Sequence, residues 1–139
     1  MEQIITLRRN RDFSRLYNRG KSYVSSSVVA YVMRNRGLRT RIGITTSKKI
    51  GNAVERNRAR RVIREAYRQL SMQVVPGFDI VMVARKKATQ VKSGEVCLAL
   101  KRLFVDAKIL KEARKTDAKE TTNKSDKILS KAGVADEVT

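Results

Sequence analysis

The chain has 139 residues, with 32 Lys and Arg against 13 Asp and Glu, a formal charge of +19, one Cys and no His. That length suits one domain with a modest core, the lone Cys97 excludes a disulfide framework, and the charge is the footprint of a polyanion binder, with nucleic acid ahead of an anionic membrane. No run of about 18 apolar residues supplies a membrane span and no apolar stretch opens the chain as a signal peptide would, so a cytoplasmic protein without membrane association is expected.

In chain order, Asn10 is a capping-type residue before a short helix over 11–20, with Gly20 as its stop and Phe13 and Tyr17 as i, i+4 partners. Residues 24–33, rich in Val and Tyr, read as one long or two consecutive strands, and Asn35-Arg36-Gly37 supplies a turn. Alternation over 41–47 predicts a further strand. Gly51 then breaks the chain, and Asn52 with Glu55 three residues later makes a capping-box start for a helix reaching Leu70. Pro76-Gly77 closes the next connection, the apolar run 78–84 reads as a buried strand, and 93–110 as a helix with Val96, Leu100, Leu103, Phe104 and Ala107 in its apolar stripe. Cys97, among Val96, Leu98 and Leu100, reads as packing.

The element order is therefore α-β-β-β-α-β-α, a sheet covered by helices, over a domain of residues 1–110. Residues 111–139 have no aromatic side chain and a net charge of +1, so they are expected to form a mostly disordered extension, with a frayed helix over 126–131 left open. The remaining +18 belongs to the folded part, where a partner must meet it.

The most specific passage is the helix after Gly51. Advancing about 100° per residue places Arg56, Arg60, Arg64 and Arg68 on one ridge with Asn57 and Arg61 beside it, while Ala59, Val62, Ile63, Ala66 and Leu70 fall opposite. Six arginines lie among thirteen residues from Arg56 to Arg68, interrupted only by Glu65. Such crowding costs stability unless an anion is the intended neighbour, and guanidinium forks suit phosphate oxygens.

The acid–base inventory is poor. The commonest general base is missing, and Glu2, Asp12, Glu55, Glu65, Asp79, Glu95 and Asp106 are widely spread, with no pair at metal-site spacing. No catalytic residue and no protein-bound metal is expected. Phe13, Tyr17 and Tyr31 have two readings, as core or as a base-stacking platform in a positive groove.

Ser47-Lys48-Lys49-Ile50-Gly51-Asn52-Ala53-Val54, running into Arg56-Asn57-Arg58-Ala59-Arg60-Arg61-Val62-Ile63-Arg64, resembles the signature of the protein subunit of bacterial ribonuclease P. The resemblance extends to Phe13, Tyr17, Gly20, Arg41-Ile42-Gly43-Ile44, Phe78-Asp79-Ile80-Val81, Ala84-Arg85 and Leu103-Phe104, covering about residues 7–110. It implies an α/β (α+β) two-layer sandwich with a mixed sheet and a left-handed β-α-β crossover. It also implies an accessory role in a ribonucleoprotein whose RNA subunit, using Mg2+, removes the 5′ leader from precursor tRNA, with one protein per RNA.

By that resemblance Arg56, Asn57, Arg58, Arg60, Arg61, Arg64 and Arg68, preceded by Lys48 and Lys49, would contact the RNA subunit. Phe13, Tyr17 and Tyr31 would line a cleft for the single-stranded leader, with Thr45 and Ser47 beside it. The extension after Lys111 departs from the family's usual ending. The alternatives are a small basic ribosomal or RNA-chaperone protein, a DNA binder using the arginine helix, and a protein-only nuclease.

Overall fold

The computed structural model describes residues 4–37 and 39–111, and the chain divides into two units, Met1–Ile109 and Leu110–Thr139. The expected extension and its helix over 126–131 lie outside the described residues, Lys111 excepted. The account below concerns the first unit.

Among the described residues five strands form one mixed sheet: β1 (Ile5–Thr6), β2 (Lys21–Val24), β3 (Val28–Arg34), β4 (Arg41–Thr45) and β5 (Phe78–Ala84), in the order β1-β4-β5-β3-β2. β4 pairs parallel with both β1 and β5, whereas β3 pairs antiparallel with β5 and β2. The helices are α1 (Asn10–Arg19), α2 (Ala53–Leu70) and α3 (Ser93–Ala107). This is the expected mixed α+β order with one addition, since two-residue β1 is too short to show any periodicity. The region over 24–33 resolves into two strands, β2 starting earlier, at Lys21, and joined to β3 by a tight hairpin.

Strand parity divides the core. Val28, Ala30 and Val32 of β3, Ile42 of β4, and Ile80, Met82 and Ala84 of β5 are buried on one face. α2 and α3 cover that face with Ala59, Ile63, Ala66, Tyr67 and Leu70 from one and Val96, Leu100, Leu103 and Phe104 from the other, the Tyr67 and Phe104 rings meeting edge to face at 6.2 Å. α1 lies on the opposite face, where Leu7, Leu16 and Val81 form a small core with Phe13, Tyr31, Met33 and Val83 packed around it. β5, central in the sheet and covered on both sides, is apolar almost throughout, as such a strand must be.

Helix ends explain the remaining boundaries. At α2 the capping box is complete: Asn52 Oδ1 accepts the Glu55 N–H at 2.9 Å and Glu55 Oε1 accepts the Asn52 N–H at 2.8 Å. A Cβ on Gly51 would collide with the Glu55 carboxylate, so the break before the helix and its cap are one arrangement. α1 does not use Asn10 as its cap; the cap position is Arg9, which makes no side-chain cap bond, and Asn10 is the first helical residue. α3 stops at Ala107 rather than 110 because Lys108 turns left-handed at φ 62°, a conformation the sequence does not advertise with Gly or Asn. Cys97 is only half-buried and its neighbour Leu98 is exposed, so the expected packing role is partial.

Candidate nucleic-acid interface

The face beneath α1 is organised in rows set by strand register. Gly43, Val81 and Tyr31 pair across β4, β5 and β3, with Thr45, Val83 and Val29 forming the row on one side and Arg41, Asp79 and Met33 the row on the other. Side chains two apart share a face, so Tyr31, Gly43 and Thr45 all point toward α1. Gly43 leaves room for Phe13: a Cβ there would lie 2.6 Å from Phe13 Cε1. Tyr17, one helical turn on, meets Tyr31 edge to face at 5.0 Å and donates its hydroxyl to Thr45 Oγ1 at 3.4 Å. Tyr17 is 42% exposed and Phe13 and Tyr31 are half-buried, so the trio joins the core at one edge and presents ring surface at the other.

The arginine face of α2 borders this site. A groove of about 250 Å3 is lined by Leu7 and Phe13 on one side and by Arg60, Arg64 and Arg68 on the other, with Gly43 and Ile44 between them. Arg60 is braced by Thr46 Oγ1 at 2.9 Å and Asn57 Oδ1 at 3.3 Å. Arg68 is held by Glu65 at 3.0 Å, and that hydrogen bond keeps the Glu65 carboxyl below its ordinary pKa. Among the described residues Arg61 and Arg64 make no hydrogen bond or ion pair.

Two of the expected contact residues are partly committed elsewhere. Arg56 donates to the Gly51 carbonyl at 2.9 Å, fixing the entry to α2, and Arg58 donates to the Val91 carbonyl at 3.2 Å, on the side away from the groove. Val62, expected in the buried arc, is half-exposed, whereas Tyr67 is buried. Lys48 and Lys49 are exposed on a short 3-10 segment, Lys48–Ile50. Ser47 lies beyond the end of β4 and is exposed; Thr46, not Ser47, meets the arginine helix.

The carboxylates are less dispersed than their positions in the chain suggest. Asp12 and Asp79 both approach Arg41, at 3.9 and 2.7 Å, and Asp12 also pairs with Arg15 at 2.6 Å. Each is therefore engaged by guanidinium groups. Sequence reasoning also passed over Arg19, Arg34, Arg36 and Arg39, which α1 and the β3–β4 turn bring to one groove; the only signal was the density of arginines around Asn35-Arg36-Gly37.

A family profile described as Ribonuclease P matches residues 1–108. The ribonuclease P protein component of Clostridioides difficile is 38% identical over 98 residues, spanning 70% of this chain and 86% of the relative. That of an Exiguobacterium species is 38% identical over 109 residues, spanning 78% and 95%. Among solved structures, the ribonuclease P protein of Staphylococcus aureus superposes with a TM-score of 0.69 at 31% identity, covering 78% of this chain and 99% of that one. The Thermotoga maritima protein gives a TM-score of 0.60 at 30% identity, covering 77% and 96%.

Proposed function

The chain belongs to the ribonuclease P protein family, and from that membership we propose that it is the accessory protein of a ribonucleoprotein endoribonuclease that removes the 5′ leader from precursor tRNA. The observation that carries the reading is the single groove bounded by Phe13 on one side and by Arg60, Arg64 and Arg68 on the other, with Tyr17 and Tyr31 adjoining Phe13. Single-stranded RNA is held by stacking on aromatic rings within a positive channel, and this arrangement offers both without a base-reading motif.

In this reading the exposed side of α2, led by Arg61 and Arg64 with Asn57, Arg60, Arg68, Lys48 and Lys49, docks on the folded RNA subunit at the border of the cleft, and Phe13, Tyr17, Tyr31 and Thr45 receive the leader. Arg56 and Arg58 act mainly by shaping α2 and secondarily as contacts. Hydrolysis and its Mg2+ belong to the RNA subunit; the protein adds binding energy remote from the scissile bond and screens repulsion between two polyanions. One protein serves one RNA, in the cytoplasm. The comparisons favour this over a ribosomal or RNA-chaperone protein.

The test mixes the protein with precursor tRNA, with and without the RNA subunit, across a Mg2+ series. Cleavage should require the RNA subunit and should proceed at lower Mg2+ when the protein is present. Cleavage by the protein alone would overturn the accessory role.

A further inference from the structure

α1 has a second flank, lined by arginines. At about 100° per residue, Phe13 and Tyr17 project to one side of the helix and Arg15 and Arg19 to the other, with Leu16 buried beneath. On the arginine side, α1, the end of β3 and the turn after it enclose a groove of about 880 Å3 lined by Arg15, Arg19, Arg34, Arg36, Arg39 and Arg41.

Three of these charges are already placed. Arg15 is paired with Asp12, Arg41 with Asp79, and the Arg34 guanidinium sits 5.3 Å from the centre of the Phe78 ring. Arg19, Arg36 and Arg39 are exposed, and among the described residues their guanidinium groups make no hydrogen bond or ion pair. Asn35 positions the turn that carries two of them: its side chain donates to Asp79 Oδ1 at 2.8 Å and to the Arg39 carbonyl at 3.0 Å, and accepts the Gly37 N–H at 2.8 Å. Three unpaired guanidinium groups converging on one concavity repel one another until an anion enters.

The shape selects the anion. A concave groove with arginines on both walls admits a single backbone, whereas a duplex meets a convex ridge such as the outer side of α2. Among the described residues no aromatic side chain lines the groove, so it offers contacts to phosphates and none to stacked bases. The outer surface of α1 between the two flanks carries Arg11, Ser14 and Asn18, all exposed, and the one acidic residue of the helix, Asp12, is buried against Arg15. A helix is about 10 Å across with its side chains, a span of only a few nucleotides.

We propose that the arginine groove is a second leader site, holding the phosphodiester backbone of nucleotides that have left the aromatic cleft and crossed over α1. The proposal rests on the assignment of the cleft to the leader. It divides the work: the cleft stacks bases nearer the cleavage site, and the groove holds the more distant backbone irrespective of sequence.

The test uses the reconstituted holoenzyme with Arg19→Gln, Arg36→Gln and Arg39→Gln combined, all exposed positions. Affinity is measured for mature tRNA and for precursors with leaders of about 4 and about 16 nucleotides, limits taken from single-strand site sizes. The wild type should bind the long-leader precursor more tightly than the short; the variant should bind the two alike. For the long leader, the slope of log affinity against log salt should fall by about 2, at roughly 0.7 per phosphate contact. A long-leader advantage that survives in the variant overturns the proposal, as does equal weakening of mature tRNA or of assembly with the RNA subunit. Tyr17→Ala is the separate arm: if the short-leader precursor keeps its advantage over mature tRNA in that variant, the cleft reading fails and the continuous path falls with it.

Discussion

Arg41 grips Asp79 with both branches of its guanidinium group, Nε to Oδ1 at 2.9 Å and Nη2 to Oδ2 at 2.7 Å, across the paired strands β4 and β5. The two partners differ in burial, Asp79 being 1% exposed and Arg41 35%. Asp79 raises the pKa of Arg41 through this hydrogen bond, so the guanidinium group stays charged throughout the working range. Removing either side should therefore have unequal effects. Arg41→Ala strands a buried carboxylate with Asn35 as its remaining donor and should cost about 3 kcal/mol, whereas Asp79→Asn leaves an arginine that can reach water and should cost about 1 kcal/mol. Denaturant unfolding of the two variants measures the difference, and equal losses would show that burial does not govern the pair.

Gly43→Ala tests the floor of the cleft. The added Cβ would sit 2.6 Å from Phe13 Cε1 and 2.7 Å from Cζ, so the ring must tilt outward. We expect a stability loss of about 1 kcal/mol from overpacking, and weaker binding of precursor than of mature tRNA, with assembly on the RNA subunit unchanged. Calorimetry on the free protein and binding assays on the holoenzyme separate the two effects.

The arginines of α2 should fall into two groups. Arg61→Ala and Arg64→Ala should leave stability unchanged and reduce the salt slope of RNA-subunit binding by about 0.9 each if the contact is to a duplex. Arg58→Ala also removes the hydrogen bond to the Val91 carbonyl and should lower the melting temperature as well. Salt titrations alongside thermal melts distinguish them.

Glu65 occupies Arg68 at 3.0 Å, and under the proposed function this pairing should restrain binding to the RNA subunit. Glu65→Gln should raise affinity for the RNA subunit at neutral pH and steepen its salt dependence. Arg68 lowers the Glu65 pKa, so the carboxylate's stabilising contribution is present above the ordinary Glu value and is lost as pH falls through the lowered one. The affinity gap between variant and wild type should accordingly narrow in acid. A gap that persists below the titration of the carboxyl would rule out the restraint.

What the sequence made legible were features whose cause is local. The Asn52–Glu55 capping box, the strand over Phe78–Ala84 and the apolar stripe of α3 all follow from spacing within one element, and each appears in the structure. Features made by distant residues were invisible. Nothing in the chain near Arg58 announces Val91, and Asp12 and Asp79 meet at Arg41 only because α1 crosses that end of the sheet. The aromatic trio stands between these cases. Phe13 and Tyr17 share a helical face by arithmetic, but that Tyr31 lies beneath them depends on the register of β3 against β5.

β4 has a consequence that reaches beyond its five residues. Arg41 anchors one groove, Gly43 floors the cleft and Thr45 steadies Tyr17, all on one side, while Ile42 and Ile44 alternate with them on the other. A slip of one residue would bring Ile42 and Ile44 beneath α1 and drive Arg41 and Thr45 against the apolar layer of α2. The proposed RNA-facing surface thus has the phase of the strand as its proofreader: a chain that folds at all in this register presents both flanks of α1 correctly. Variation in what the protein grips is left to the turns and helix surfaces around it.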